Sequence, residues 1–145
     1  RNIGEACHIY DIFQYLTGST PSRVEAISSA SVGKQWKKND NFTALISYED
    51  GSICSLTYTA MGHRNFPKEQ MEVFFDGKVI QLNDYKSLKV EGSSGGWESK
   101  VVEKGQYEEL VALATGIQQA EWPISLQDQL DVSRLSLDIE DKLKL

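Results

Sequence analysis

Cysteine is scarce in this chain: two residues among 145, and neither Cys7 nor Cys54 sits in a Cys-x-x-Cys or other metal-ligand spacing. That scarcity argues against a disulfide-stapled scaffold and leaves both thiols as reduced, buried, small hydrophobes. No metal site is expected. Positive charge is also short, with 15 Lys and Arg against 21 Asp and Glu and a formal net charge of -6. Nucleic acid and anionic membrane surfaces both call for a basic footprint, so neither is an expected partner. No apolar run reaches the length of a bilayer-spanning helix, so neither a transmembrane span nor a secretory signal is expected. With reduced thiols, these absences predict a cytoplasmic protein. The only concentrated glycines, Gly92-Ser93-Ser94-Gly95-Gly96, lack the strand-to-helix setting of a dinucleotide loop and read as a flexible surface link.

What remains is the composition of an ordinary globular domain, 40% hydrophobic and 25% charged. At this length one domain over residues 1–145 can bury a real core. The chain starts at Arg1 without an initiator Met and enters helical pattern at once, which predicts a domain cut from a longer protein.

Ile3 to Gly18 has helical spacing, with Ile9, Ile12, Phe13 and Leu16 as the expected core-facing stripe. Gly18 and Pro21 stop it. Arg23 to Ser31 reads as a strand and Lys34 to Asp40 as a polar loop around Trp36. Phe42, Ala44, Ile46 and Tyr48 alternate with Thr43, Leu45 and Ser47 in a β pattern. An Asp-Gly turn at Asp50-Gly51 returns the chain as Ile53 to Met61, with Cys54, Leu56, Tyr58 and Ala60 sharing a face. After the polar connection Gly62 to Lys68 come a strand at Glu69 to Phe75, a second Asp-Gly turn at Asp76-Gly77, and strands at Lys78 to Leu82 and around Tyr85, Leu88 and Val90. Gln106 to Gln119 is helical again, with Leu110, Leu113, Ala114 and Ile117 on one face. Ser125 and Asp128 form a capping box that opens a last helix carrying Leu126, Leu130, Leu135, Ile139 and Leu143. The order predicts an α+β domain: an antiparallel meander with helices packed on one sheet face. Trp36, Trp97 and Trp122 read as packing or interface residues, and His63 as a surface residue.

The first helix carries the chemistry. His8, Asp11 and Tyr15 are spaced three and four apart and share a patch away from the apolar stripe. An imidazole, a carboxylate and a phenol so placed can position a proton and bind hydroxyls, although an ordinary solvated face has the same spacing.

Several strings resemble the C-terminal domain of the glucose–fructose oxidoreductase, inositol dehydrogenase and MocA family, above all members in which this module follows an alcohol-dehydrogenase-like region. They are Gly4 to Asp11, Tyr15 to Gly18, Tyr58 to Gly62, Phe66 to Glu69, Val73 to Val79, Glu103 to Gly105, and Trp122 to Ile124. The resemblance implies a fold like the glyceraldehyde-3-phosphate dehydrogenase-like C-terminal domain. It also implies an NAD- or NADP-dependent dehydrogenase, cytoplasmic and oligomeric, whose N-terminal Rossmann domain, absent here, binds the cofactor and supplies a lysine from a Glu-Lys-Pro motif. This chain would be the substrate-binding half, inactive alone, with no cofactor-binding residues of its own. Its partners would be that Rossmann domain, a sugar-, cyclitol- or polyol-like substrate, and a second copy through the sheet face.

By the same resemblance His8 is the catalytic histidine, and an imidazole with an ordinary pKa of about 6.5 suits removal of a hydroxyl proton. Asp11 and Tyr15 would bind substrate, as would Asn65 and Lys68 around the Phe-Pro-Lys-Glu string. Many relatives carry an aspartate four positions before the histidine. Gly4 occupies that position here, and Glu5 is rotated around the helix, which leaves the orienting partner of His8 unassigned. The competing reading is a non-catalytic dimerisation or interaction module of the same fold, with Tyr48, Tyr58 or Phe75 on its free face.

Overall fold

Alternation is cleanest in β2 (Asn41–Tyr48), and its inward residues Phe42, Ala44, Ile46 and Tyr48 are all buried. In the computed structural model, which describes residues 1–29 and 35–144, β2 is the central strand of a three-stranded antiparallel sheet. Its neighbours are β1 (Pro21–Ser28) and β3 (Ile53–Thr59). Register pairs Ala26 with Ala44 on one side and Ala44 with Leu56 on the other. Ala30, Ser31 and Lys34, at the ends of the expected first strand and loop, lie outside the described residues.

Helices α1 (Cys7–Thr17) and α3 (Leu126–Lys144) supply the other side of the core. Ala6, Tyr10 and Phe13 meet Leu135, Ile139 and Leu143 over the inner sheet face, with Cys54, Leu56 and Tyr58 packed around them. Each aliphatic side chain so enclosed contributes about 1.5–3 kcal/mol. The capping box at α3 forms in part: the Asp128 amide donates to Ser125 Oγ at 3.0 Å, and that hydroxyl donates to Asp128 Oδ2 at 2.6 Å. Of the expected α3 stripe, Leu126 and Leu130 remain exposed.

Helix α1 departs from its expected phase. The chain enters it through a π turn, Asn2–Ala6, in which Arg1 O accepts from the amides of both Glu5 and Ala6. The wider turn winds fewer degrees per residue and brings Asn2 over the face of Tyr10. The buried side is therefore Asn2, Ala6, Tyr10, Phe13 and Gln14, while Leu16, expected in the core, is exposed. Tyr10 can be buried because its phenol donates to Asn2, whereas Gln14 is buried with its Oε1 lacking a hydrogen-bond partner among the described residues; periodicity counts both as polar residues. Gly18 closes the helix in the left-handed region, φ 58°, with its amide on Gln14 O.

These elements make one compact unit, Arg1–Met61 with the segment from Ile124 onward; Gly62–Pro123 forms a second. In the second unit β4 (Gln70–Phe75), β5 (Lys78–Asn83), β6 (Ser87–Glu91) and β7 (Gly96–Glu98) form an antiparallel sheet in sequence order. The expected meander is thus two sheets. Asp76 and Gly77 both take left-handed φ values, 45° and 72°, the hairpin geometry that an Asp-Gly pair favours. Strand β7 was unexpected, because Gly92 to Gly96 reads as a flexible link. Gly96 instead pairs with Lys89 at φ 118°, and a Cβ there would stand 2.5 Å from Leu88 O. Close backbone approach explains that glycine.

Helix α2 (Gln106–Gln119) completes the second unit. Among the described residues, no helix is long and apolar enough to cross a membrane.

Candidate functional site

The side of α1 opposite the core carries His8, Asp11 and Tyr15, all exposed, with Tyr15 at 86%. Packing explains the sorting. Tyr10, Phe13 and Gln14 occupy the inner side, so residues 8, 11 and 15 must project outward as surface neighbours. The structure therefore brings these three together on one face.

Buried hydrogen bonds fix that helix. Asn2 is fully enclosed and donates through Nδ2 to Ser136 O at 2.8 Å and to Glu140 Oε2 at 3.1 Å, while its Oδ1 accepts from the Tyr10 phenol at 2.7 Å. Glu140 Oε1 also accepts from Asn39 Nδ2 at 3.0 Å. Burial, then the neighbouring Cys7 and Glu140, push the Tyr10 phenol above its ordinary pKa. Sequence reasoning missed Asn2, whose partners on α3 lie more than 130 positions away. At the surface, Glu5 accepts from Arg1 Nη1 and from the Tyr58 phenol. Arg1 also approaches Asp40 at 3.4 Å. The first turns of α1 are thereby tied to the start of β2, to β3 and to α3.

Asn65 and Lys68 belong to the second unit. The Asn65 amide donates to His63 Nδ1 at 3.2 Å, and its side chain is exposed with that of His63. Lys68 begins a more elaborate arrangement. Its amide donates to Asp84 Oδ1 at 3.1 Å, and the Asp84 amide donates to Glu69 O at 2.6 Å. Asp84 and Tyr85 both lie in the left-handed region, at φ 53° and 51°. A bulky residue there costs about 1–3 kcal/mol and persists only where its surroundings over-determine it.

Glu69 is the hub of those surroundings. Its Oε1 accepts from Lys104 Nζ at 2.8 Å and lies 3.9 Å from Lys68 Nζ, and Lys104 Nζ stands 4.7 Å over the Tyr85 ring. Burial, with Glu69 beside it, pushes the Tyr85 phenol up to about 12. Lys86 donates to Asp84 Oδ2 at 2.8 Å and holds that carboxyl below its usual range. The Lys68 side chain stays 74% exposed, anchored at its backbone and open at its ammonium. Sequence spacing gives no sign of Lys104 or Tyr85 in this cluster; the pairing of β4 with β5 and the backbone bonds from the Ser99 amide to Lys86 O and from the Glu103 amide to Tyr85 O assemble it.

Both cysteines are free thiols and half-buried rather than enclosed. Among the described residues no three His, Cys, Asp or Glu side chains gather to hold a metal ion. Gly92 to Gly96 joins β6 to β7, strand to strand, and so lacks the strand-to-helix setting of a dinucleotide pyrophosphate loop.

Three solved structures share the fold closely. A UDP-N-acetylglucosamine 3-dehydrogenase from Acidithiobacillus ferrooxidans superposes with TM-score 0.75 at 17% identity, covering 94% of this chain and 44% of its own. An aldose-aldose oxidoreductase from Caulobacter crescentus, complexed with glycerol, gives 0.72 at 17%, covering 95% and 43%. An oxidoreductase from Agrobacterium radiobacter, in complex with NAD+, L-tartaric acid and magnesium, gives 0.71 at 18%, covering 97% and 46%. The chain spans less than half the length of these proteins. No curated protein sequence matches it significantly. The sequence profile described as the GFO/IDH/MocA C-terminal domain matches residues 4–81, more than half of the 145. That stretch runs from the turn before His8 past Asn65, Lys68 and Glu69 into β5, and the chain belongs to the GFO/IDH/MocA C-terminal domain family.

Proposed function

We propose that this chain is the substrate-binding half of an NAD- or NADP-dependent oxidoreductase acting on a sugar, cyclitol or similar hydroxylated compound, and that it is inactive alone. One observation carries the reading: His8 lies on the outer face of a helix whose inner face and first turn are committed to packing. The imidazole has no part in the core, and in a chain of this family its placement suits contact with a substrate. His8 would accept the hydroxyl proton as the carbon is oxidised. Asp11 and Tyr15, three and seven residues on, would hold neighbouring hydroxyls. The hydride acceptor would be bound by a nucleotide-binding half outside this chain. The solved relatives named above act on, or were crystallised with, small hydroxylated molecules.

The test is nicotinamide-dependent turnover by the longer polypeptide that carries both halves. His8→Ala lowers turnover by about 100-fold or more, the scale of lost acid/base help. An unchanged rate would remove His8 from the chemistry.

A second role is supported by the outer face of the first sheet, where Ile27 and Ile53 are 73% and 70% exposed and Leu45 is exposed between them. This face would join two copies. Of the residues that the sequence pointed to, Tyr48 is buried and Tyr58 faces inward, while Phe75 is exposed but lies on the second sheet. An oligomerisation module without chemistry predicts association without turnover.

A further inference from the structure

Helix α2 is 14 residues long and buries one of them, Gly116. Tyr107, Leu110, Val111, Leu113, Ala114 and Ile117 fall on a single side, and Tyr107, Leu110 and Ile117 are 75%, 66% and 72% exposed. A helix of this length is marginal in water without tertiary packing. Yet this one is firmly terminated: Ala120 takes the left-handed region at φ 56°, and the Glu121 amide returns to Gly116 O at 2.9 Å. Gly116 must be glycine for that return, because a Cβ would collide with Glu121 O and stand 3.1 Å from Pro123 Cδ. A helix so capped, with an apolar side so open, is built to be covered.

Two observations choose the occupant. A second copy meeting α2 about a two-fold axis would present one stripe of six side chains per subunit, against the roughly 20–30 residues a side of a stable interface. A tethered domain needs far less, because linkage raises its effective concentration to the millimolar range. Moreover, the relatives match this chain over 94–97% of its length, a coverage that cannot leave out a 14-residue helix, and carry more than half of their own length beyond the match.

We infer that the apolar side of α2 seats the other half of the polypeptide, the half assigned above to nucleotide binding. The inference rests on the proposal that such a half exists. Glu108 and Glu109 in the first turn, Glu121 just past the end, and the absence of Lys or Arg within Gln106–Gln119 call for an occupant with an apolar centre and a neutral or basic rim.

Hydrogen–deuterium exchange on the longer polypeptide tests this without reference to activity. Amides 107–117 should exchange about 100-fold or more slowly than in the 145-residue chain alone, independently of protein concentration. Leu110→Asp with Ile117→Asp should abolish that protection while the β2 amides keep theirs. Fast exchange in the longer polypeptide would overturn the inference. So would protection that grows with concentration, which means a second copy, or equal protection in the 145-residue chain, which means packing within it. His8→Ala leaves the exchange pattern unchanged, so the activity test and this one fail separately.

Discussion

The Tyr10 phenol donates to the side-chain carbonyl of Asn2 at 2.7 Å, and neither residue has any exposed surface. This bond joins the π turn to α1, and through Ser136 and Glu140 it joins both to α3. The two partners are not equivalent to remove. Tyr10→Phe takes away one donor and should cost about 1 kcal/mol, whereas Asn2→Ala strands a buried phenol and withdraws a donor from Glu140, about 2–3 kcal/mol. Urea unfolding of the two variants measures the difference. Equal costs would mean that Asn2 does not hold the network.

His8 offers the opposite profile. Because it sits outside the core, His8→Ala should leave unfolding free energy within about 0.5 kcal/mol of the parent while turnover collapses. Asp11→Asn, at the neighbouring outward position, should raise KM more than it lowers kcat if Asp11 holds a substrate hydroxyl as proposed and moves no proton. Thermal unfolding and steady-state kinetics on the same preparations separate the two effects.

Alkaline pH should unfold the chain earlier than its composition suggests. Tyr10 and Tyr48 have phenols pushed above their ordinary 10.0, chiefly by burial, and Tyr85 is pushed up to about 12. The folded state holds these protons more tightly than the unfolded chain does. Their contribution is therefore complete below pH 10 and is lost as pH rises toward the folded values. Ultraviolet phenolate absorbance, followed with circular dichroism, should show these phenols ionising together with unfolding. Early ionisation with the fold intact would contradict it.

If the outer sheet face joins two copies, Leu45→Lys should convert the assembly to monomer without lowering stability, because Leu45 points away from the core of its own subunit. Light scattering after size exclusion reads the mass. A parent that is already monomeric at micromolar concentration would discard the face as an interface.

Much of the first unit was legible because β2 obeys strict alternation: Phe42, Ala44, Ile46 and Tyr48 announce one buried face. The outward patch of His8, Asp11 and Tyr15 was legible for a similar reason, since three- and four-residue spacing survives any choice of core phase. The core phase of α1 was not. It depends on the π turn and on Asn2 finding Ser136 and Glu140, contacts that no local window contains. The Glu69 cluster escaped for the same reason, Lys104 being 35 positions from its partner. Strand β7 escaped because three residues opening on a glycine carry almost no periodic signal.

Helix α1 is moored at both extremities. Glu5 reaches Tyr58 on β3 at one end; at the other, the Asp50 amide donates to Ser19 Oγ at 3.1 Å and the Glu49 amide to Thr20 O at 3.0 Å. A rod held this way resists rolling or sliding against its sheet. New side chains at positions 8, 11 and 15 would inherit fixed coordinates without disturbing the scaffold, so the reactive repertoire of such a domain can diversify while its architecture stays constant.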